Sequence, residues 1–371
     1  MNEPADVTET FYFERQALIP TAATWFRHGL LLLLTIVTAT IAGSIYPFGR
    51  LPFMVGPDPE TWADVADLLY QLPYSYLSVV VNTVYLLATD WELLKDGLSF
   101  SLSLLFILTS HEMGHYIACR IYRVDATLPY FLPTPPMIGP AGTFGAFIRI
   151  LSPFPSRKAV FDIGIAGPIA GFVALIPIAI IGLMTMETAI PQQVGQGGTL
   201  VFADPLLIRF VAMILGQDLT FGIGNAFYFA AWVGLLVTAL NLIPSGQLDG
   251  GHAIYAIFGE RVHYWTGRIA FAVMATLSVI GLVYFNSPSG FLIAILLGIM
   301  MRIRHPEPWD DAPLDAKRRI LAVVTFAIFV LSFVPFPIKI GEQITILPPE
   351  EAFPLSREPS FARPPDRRGR S

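Results

Sequence analysis

The residues best suited to chemistry in this sequence are two histidines and a glutamate in the stretch Ser110-His111-Glu112-Met113-Gly114-His115. Residues four positions apart lie on the same face of an α-helix, so the imidazoles of His111 and His115 can reach one metal ion. Glu112 lies beside them, where a carboxylate can act as the general base of a zinc-dependent hydrolase. The pattern H-E-x-x-H therefore predicts a zinc site with an adjacent base.

The setting of this motif makes it more informative. The motif lies near the end of an apolar run that begins at Leu98, and ionisable groups inside a membrane are costly enough to indicate a functional site by default. The chain has 371 residues, of which 54% are hydrophobic and 14% charged, whereas soluble domains carry about 25% charged residues. We therefore predict an all-α, polytopic, integral membrane protein.

Charge and cysteine content exclude several classes of protein. The net charge of −5 is small and dispersed, so no nucleic-acid partner is expected. Cys119 is the single cysteine, which excludes an internal disulfide and a cysteine-based zinc finger. Cys119 follows His115 by four residues and could bind the same metal, but a small apolar helix residue is the favoured interpretation.

Seven apolar segments approach the length of about 20 residues that a membrane span needs. The segment 289–302 is short and would have to be tilted or buried in protein. Residues 71–90 are interpreted as interfacial, although they could form an eighth span. The predicted spans are 28–46, 98–119, 160–185, 222–243, 267–285, 289–302 and 319–337.

The distribution of lysine and arginine around these spans predicts a cytoplasmic N-terminus and a motif near the cytoplasmic face. No transit peptide is visible, which favours a bacterial inner (plasma) membrane over a plastid membrane. The predicted divisions are a cytoplasmic N-terminal segment (1–27), a first transmembrane helix with an extracytoplasmic or interfacial segment (28–97), a catalytic membrane core (98–260), C-terminal transmembrane helices (261–340) and a disordered tail (341–371).

Residues 124–157 differ from a membrane helix. Five prolines between Pro129 and Pro140 exclude a helix, and apolar residues alternate from Thr143 to Leu151, as in a strand. Non-helical backbone at membrane depth requires shielding by protein or a wet cavity. We therefore predict a re-entrant β-hairpin or loop near the active site, with a proline-rich cytoplasmic loop as the alternative.

A third metal ligand is needed, because a catalytic zinc takes three protein ligands and leaves one position for water. The best candidate is Asp249, which follows the apolar run 222–243 on the same predicted side of the membrane as His115. Alone, Asp249 and the two glycines after it would favour a turn. The pairing with H-E-x-x-H at matching depth favours the ligand. His252 could lie near the site or simply begin the next helix.

The two motifs together resemble the site-2 protease family of intramembrane zinc metalloproteases, peptidase family M50. The match covers roughly residues 98–260 and includes the family patterns H-E-x-x-H and N-x-x-P-x-x-x-x-D-G, the second running from Asn241 to Gly250. The resemblance implies one zinc ion per chain, held by His111, His115 and Asp249. It also implies that Glu112 is the catalytic base and that Asn241 holds the scissile peptide or its oxyanion.

A second resemblance concerns the proline-rich segment, which is similar to the plastid and bacterial branch of this family. It implies that the segment pairs with an unwound substrate as a β-strand, and no PDZ or CBS domain is expected. The residues that carry this expectation are Gly142, Thr143, Phe144, Gly145 and Ala146.

The expected function is hydrolysis of peptide bonds in or near transmembrane segments of protein substrates in the lipid bilayer. The alternative is a membrane transporter that uses the histidines and carboxylates for protons or metal. A transporter would need further ionisable residues in its spans, and Asp162, expected to cap its helix, is nearly alone. The sequence leaves the oligomeric state open.

Overall fold

The computed structural model describes residues 20–52, 61–188, 190–220, 222–303, 305–310 and 312–347. Within these ranges, five helices are long and apolar enough to cross a membrane. The chain is therefore a mainly helical, polytopic membrane protein, but the predicted number of seven spans is not confirmed. The helices are α1 Ala22–Ser44, α2 Trp62–Thr89, α3 Trp91–Ile121, α4 Arg157–Met184, α5 Leu206–Leu215, α6 Ala226–Asn241, α7 Asp249–Phe258, α8 Glu260–Phe285, α9 Ser289–Met300 and α10 Ala316–Ser332.

Two parts of the predicted span pattern differ from the structure. Residues 71–90, predicted to be interfacial, belong to α2, which is 28 residues long and apolar enough to cross. Its mean hydropathy of 1.2 is the lowest among the five candidate helices, which explains the weak signal. The segments predicted at 222–243, 289–302 and 319–337 form helices of 16, 12 and 17 residues.

The core of the fold consists of α3, α4 and α6, which pack against one another. Asp90 caps α3 by accepting hydrogen bonds from the backbone N–H groups of Glu92 and Leu93. The two helices α3 and α4 approach closely because a Cβ on Gly114 would lie 2.4 Å from the carbonyl oxygen of Ala166. This contact brings the H-E-x-x-H turn of α3 directly against the backbone of α4.

Asp162 does not cap α4, contrary to the prediction. The cap is Ser156, whose hydroxyl accepts from the backbone N–H of Ala159 at 3.2 Å. Asp162 lies in the second turn and accepts two hydrogen bonds from the Arg318 guanidinium, at 2.9 and 2.6 Å. Tyr122, at the end of α3, donates to the same carboxylate. Asp162 thus joins α3, α4 and α10.

The predicted β-hairpin is present. Strands β1 (Tyr130–Pro133) and β2 (Thr143–Phe147) are antiparallel, and β2 carries a bulge where Gly145 adopts a φ of +94°. Helix α1 holds both ends of the hairpin. The Thr38 hydroxyl donates to the carbonyl of Gly142 at 2.8 Å, and the Nδ1–H of His28 donates to Pro129 O at 2.8 Å.

Further strands form outside the hairpin, and one of them extends into the predicted tail. Two short strands, β3 (Glu187–Thr188) and β5 (Gly222–Ile223), pair with each other, and β4 (Ile190–Phe202) pairs with β6 (Ile338–Leu347). The boundary of the predicted disordered tail was therefore wrong for residues 341–347. Residues 348–371 lie outside the described residues, as does most of the predicted N-terminal segment.

Candidate active site

His111, His115 and Asp249 come together as the sequence predicts, and we call these three residues the ligand cluster. His111 Nε2 lies 3.2 Å from one carboxylate oxygen of Asp249, and His115 Nε2 lies 3.4 Å from the other. The two Nε2 atoms are 3.1 Å apart. In the described part of the chain this is the one group of three or more His, Cys, Asp or Glu residues suited to a metal ion. Both histidines are buried, and Cys119 lies in a hydrophobic cluster away from them.

The orientation of His115 is fixed by the backbone of α4. His115 Nδ1 lies 2.7 Å from the carbonyl oxygen of Ile163. A carbonyl can only accept, so Nδ1 carries the proton and the lone pair of a neutral ring is on Nε2, facing the cluster. This contact supplies the hydrogen-bond partner that metal-binding histidines usually have on their second nitrogen.

A row of glycines on one face of α4 makes room for three histidines. A Cβ on Gly167 would lie 2.1 Å from His115 Nε2, and one on Gly171 would lie 3.1 Å from His111 Cβ. A Cβ on Gly164 would lie 2.7 Å from the Cβ of His252. These glycines therefore leave space for the side chains of the site.

Glu112 and Asn241 flank the ligand cluster. The Glu112 carboxylate is buried, with an exposed fraction of 7%, and it accepts a hydrogen bond from the backbone N–H of Ile148. Asn241 is the last residue of α6, and its Nδ2 lies 3.3 Å from His111 Nε2. All five site residues proposed from the two motifs therefore meet in one place.

A cavity of about 490 Å³ opens beside the ligand cluster. Of the five residues expected to bind substrate, only Ala146 lines it. Gly142 packs against α1, where a Cβ would meet Thr38 O at 2.4 Å, and Phe144 is 64% exposed. The cavity wall instead continues from Ala146 through Phe147, Ile148, Arg149 and Ile150.

The sequence left the role of His252 open, and His305 was not singled out as a site residue. His252 lines the cavity, and its Nδ1 lies 2.7 Å from His305 Nε2. His305 Nδ1 lies 2.8 Å from Pro306 O, so it is the donor. Burial, and secondarily the adjacent His252, lower the pKa of His305 to about 3. The His305 ring is therefore neutral, and His252 donates to it.

This pair of histidines connects the site to the segment between α9 and α10. Tyr255 stacks on His305 with ring centroids 3.9 Å apart. The backbone N–H groups of Trp309 and Asp310 donate to the carbonyls of Phe154 and Pro155. The segment 305–310 therefore covers one side of the cavity. Its contribution has no signature in the sequence, because His252 and His305 are 53 residues apart.

Comparison with known proteins adds a family to this geometry. The model of peptidase family M50 matches residues 99–284, half of the chain. Similar proteins include a probable zinc metalloprotease EGY2, chloroplastic, of Oryza sativa subsp. indica, which is 29% identical over 66% of this chain and 44% of its own length. Another is a probable zinc metalloprotease EGY1, chloroplastic, of Arabidopsis thaliana, which is 27% identical over 81% of this chain and 55% of its own length. No solved structure matches.

The chain spans about half the length of the relatives that it matches. The matched region contains both histidines of H-E-x-x-H, Asn241 and Asp249. It ends within α8, so α9 and α10 lie beyond it.

Proposed function

We propose that this chain, which belongs to peptidase family M50, is an intramembrane zinc endopeptidase. It would hydrolyse peptide bonds in or near transmembrane segments of membrane proteins. The observation that carries this proposal is the convergence of Asp249, the first residue of α7, with His111, Glu112 and His115. The last three lie in α3, which is long and apolar enough to cross a membrane. The transporter alternative has no support in the family or in its named relatives.

The residues of the ligand cluster fit a zinc ion. Zinc binds histidine nitrogen and carboxylate oxygen at about 2.0–2.2 Å, so neighbouring ligand atoms of a tetrahedral site lie about 3.3–3.5 Å apart. The separations of 3.1, 3.2 and 3.4 Å are close to this value. Two neutral histidines and one carboxylate are also a ligand set of catalytic zinc sites. His111, His115 and Asp249 would therefore hold the ion.

Zinc would supply a Lewis acid that makes water nucleophilic near neutral pH and polarises a carbonyl. Glu112 would remove a proton from the attacking water as the new C–O bond forms. It would then deliver that proton to the amide nitrogen as the C–N bond breaks. The Asn241 amide, within 3.3 Å of His111 Nε2, would donate to the carbonyl oxygen of the scissile bond as it becomes negatively charged.

The substrate would add as a strand to the free edge of β2. Helix α1 packs mainly against β1, whereas α3 packs against β2. Ala146 and Phe147 of β2 line the same cavity as the ligand cluster. A transmembrane helix satisfies its own backbone hydrogen bonds, and strand addition would replace them after unwinding. We propose Ala146 and the residues after it as the binding edge. Residues 142–145 would support the hairpin.

The remaining expectations are proposals of the same kind. The catalytic core would be residues 98–260, and the N-terminus would lie on the side of the membrane that carries most of the lysines and arginines. The EGY1 and EGY2 relatives are named chloroplastic, so the expected bacterial plasma membrane has no support from them. We propose a membrane of plastid type, with the substrate a transmembrane protein of the same bilayer.

The test uses purified protein in detergent, with zinc content and cleavage of single-span substrates measured on the same sample. We expect about one zinc per chain, with cleavage by the wild type. The Glu112→Gln protein should keep zinc and lose cleavage, whereas Asp249→Ala should lose zinc. A wild-type protein without zinc, or a Glu112→Gln protein that cleaves normally, would contradict the proposal.

A further inference from the structure

Arg149 lines the cavity beside the ligand cluster, and the proposed mechanism gives this positively charged residue no role. Among the described residues that line the cavity, it is the only lysine or arginine. Its backbone is fixed, since its N–H donates to the Thr127 hydroxyl and its carbonyl accepts from the Thr127 N–H, both at 3.0 Å. In the described part of the structure, its guanidinium has no hydrogen bond or ion pair with another residue.

The strand geometry determines how Arg149 would meet a substrate. The N–H and C=O groups of Arg149 point toward the segment that contains Thr127. Arg149 lies two residues beyond β2, in a segment that continues to pair through the Ala126–Ile150 bridge. Backbone directions alternate along such an extended segment, so the N–H of Ile148 points to the opposite edge, where Glu112 accepts it. For a strand added at that edge, Arg149 would occupy a non-hydrogen-bonded position. In antiparallel pairs, such positions bring side chains closest, with Cα atoms about 4.5 Å apart.

The same geometry locates Arg149 relative to the reaction. Ile148 contacts Glu112, which would act at the scissile bond, and Arg149 is the next residue of the extended segment that follows β2. The substrate side chain opposite Arg149 would therefore lie within about two residues of the scissile bond. The preceding residue on the same sheet face, Phe147, is 43% exposed and offers an apolar neighbour.

A carboxylate is the chemical group that fits opposite Arg149. Opposite charges on cross-strand pairs stabilise a sheet, and like charges destabilise it. A guanidinium also binds a carboxylate through two parallel hydrogen bonds. We propose that Arg149 forms a subsite for an aspartate or glutamate side chain of the substrate, within about two residues of the scissile bond. This proposal rests on the proposed proteolytic function and narrows its substrate class.

The experiment compares single-span substrates that differ at one position near the cleavage site, which carries Glu, Gln or Lys. Cleavage is measured with the full-length protein in uncharged detergent. Binding of the same substrates is measured with the Glu112→Gln protein, so the subsite is also tested without catalysis. The variant is Arg149→Glu. The matched control is Arg120→Glu, because Arg120 is an exposed arginine at the end of α3 that does not line the cavity.

For the wild type and the control, we expect kcat/KM to fall by about tenfold from the Glu to the Lys substrate. For Arg149→Glu the order should reverse, with unchanged zinc content. The affinities measured with Glu112→Gln, with and without Arg149→Glu, should follow the same two orders. Agreement of both readouts would establish a carboxylate subsite at Arg149.

Two results would overturn the proposal while leaving the proteolytic function intact. One is cleavage by Arg149→Glu with the wild-type order of substrates. The other is an equal change of order in Arg120→Glu, which would mean that general surface charge sets the preference. If no substrate is cleaved but binding reverses with Arg149→Glu, the subsite stands and the proteolytic function fails.

Discussion

The ligand cluster and the edge of β2 lie side by side, yet they are built in opposite ways. At the cluster, His111 and His115 are buried, and a Cβ on Gly167 would lie 2.1 Å from His115 Nε2. On the proposed binding edge, Phe147 is 43% exposed and Arg149 is also exposed. The residues of the ligand cluster are therefore fixed by close helix packing, whereas the proposed binding edge is accessible to a partner.

The largest expected effect comes from filling the space beside His115. Gly167→Ala would place a methyl group within 2.1 Å of His115 Nε2, so α3 and α4 would have to separate. We expect loss of zinc and of cleavage, measured by metal analysis and peptide assay. Gly29→Ala is the control, because a Cβ on this glycine of α1 meets nothing within 4 Å. Full zinc content in Gly167→Ala would show that the packing is less restrictive than the structure indicates.

A smaller effect is expected at the proposed binding edge. Ile148→Pro removes an N–H of the proposed substrate-binding edge, the one that donates to Glu112. It leaves the hydrogen bonds between Arg149 and Thr127 in place. We expect kcat/KM to fall about tenfold to a hundredfold, as for the loss of a hydrogen bond to a charged group, with zinc retained. Ile148→Val should behave as wild type. Loss of zinc in the proline variant would mean that the edge also supports the cluster.

A third, weaker effect is expected from the hydrogen bond that joins α1 to the hairpin. Thr38→Val removes the hydroxyl that donates to Gly142 O at 2.8 Å. We expect KM to rise about fivefold, the effect of one hydrogen bond, with little change in kcat. Thr35→Val is matched to it, because the Thr35 hydroxyl donates within α1, to Leu31 O. Equal effects of the two variants would argue against a role for this contact in substrate binding.

The smallest expected effect concerns the segment 305–310 and depends on pH. Burial and the neighbouring His252 and His263 lower the pKa of His305 to about 3 from 6.5. The opened segment then binds more protons between these values, so the closed form is fully stabilised above about pH 6.5 and loses stability as the pH falls. Hydrogen exchange of 305–310, corrected for its intrinsic rate, should increase from pH 8 to pH 5. In His305→Gln, stacked on the same Tyr255, most of this increase should disappear.

The ligand cluster could be predicted from the sequence because helix geometry fixes it locally. His111 and His115 share a face at a spacing of four residues, and Asp249 follows a helix that ends at matching depth. The hairpin was also predicted, since prolines exclude a helix and the residues after Thr143 alternate. The histidine spacing and the alternation act over a few residues, whereas Asp249 was identified through its pairing with the distant H-E-x-x-H motif.

The contacts that the sequence did not reveal are long-range or involve the backbone. The bond from His115 to Ile163 O uses a carbonyl, which every residue has. The pairing of β4 with β6 joins residues more than a hundred positions apart, such as Leu200 and Ile340. Asp162 was expected to cap its own helix, but its partner Arg318 is 156 residues away. None of these contacts follows from local periodicity.

The glycine row of α4 has a consequence for how a substrate could enter. Gly164, Gly167 and Gly171 each face a different histidine, so turning or sliding α4 by one residue would drive a side chain into the site. Helices α3 and α4 therefore have to move as one body. By contrast, Thr83 is the only buried residue of α2 within the described part of the chain, so this helix packs loosely. For the proposed transmembrane substrate, this difference in packing favours entry from the side of α1, α2 and the hairpin.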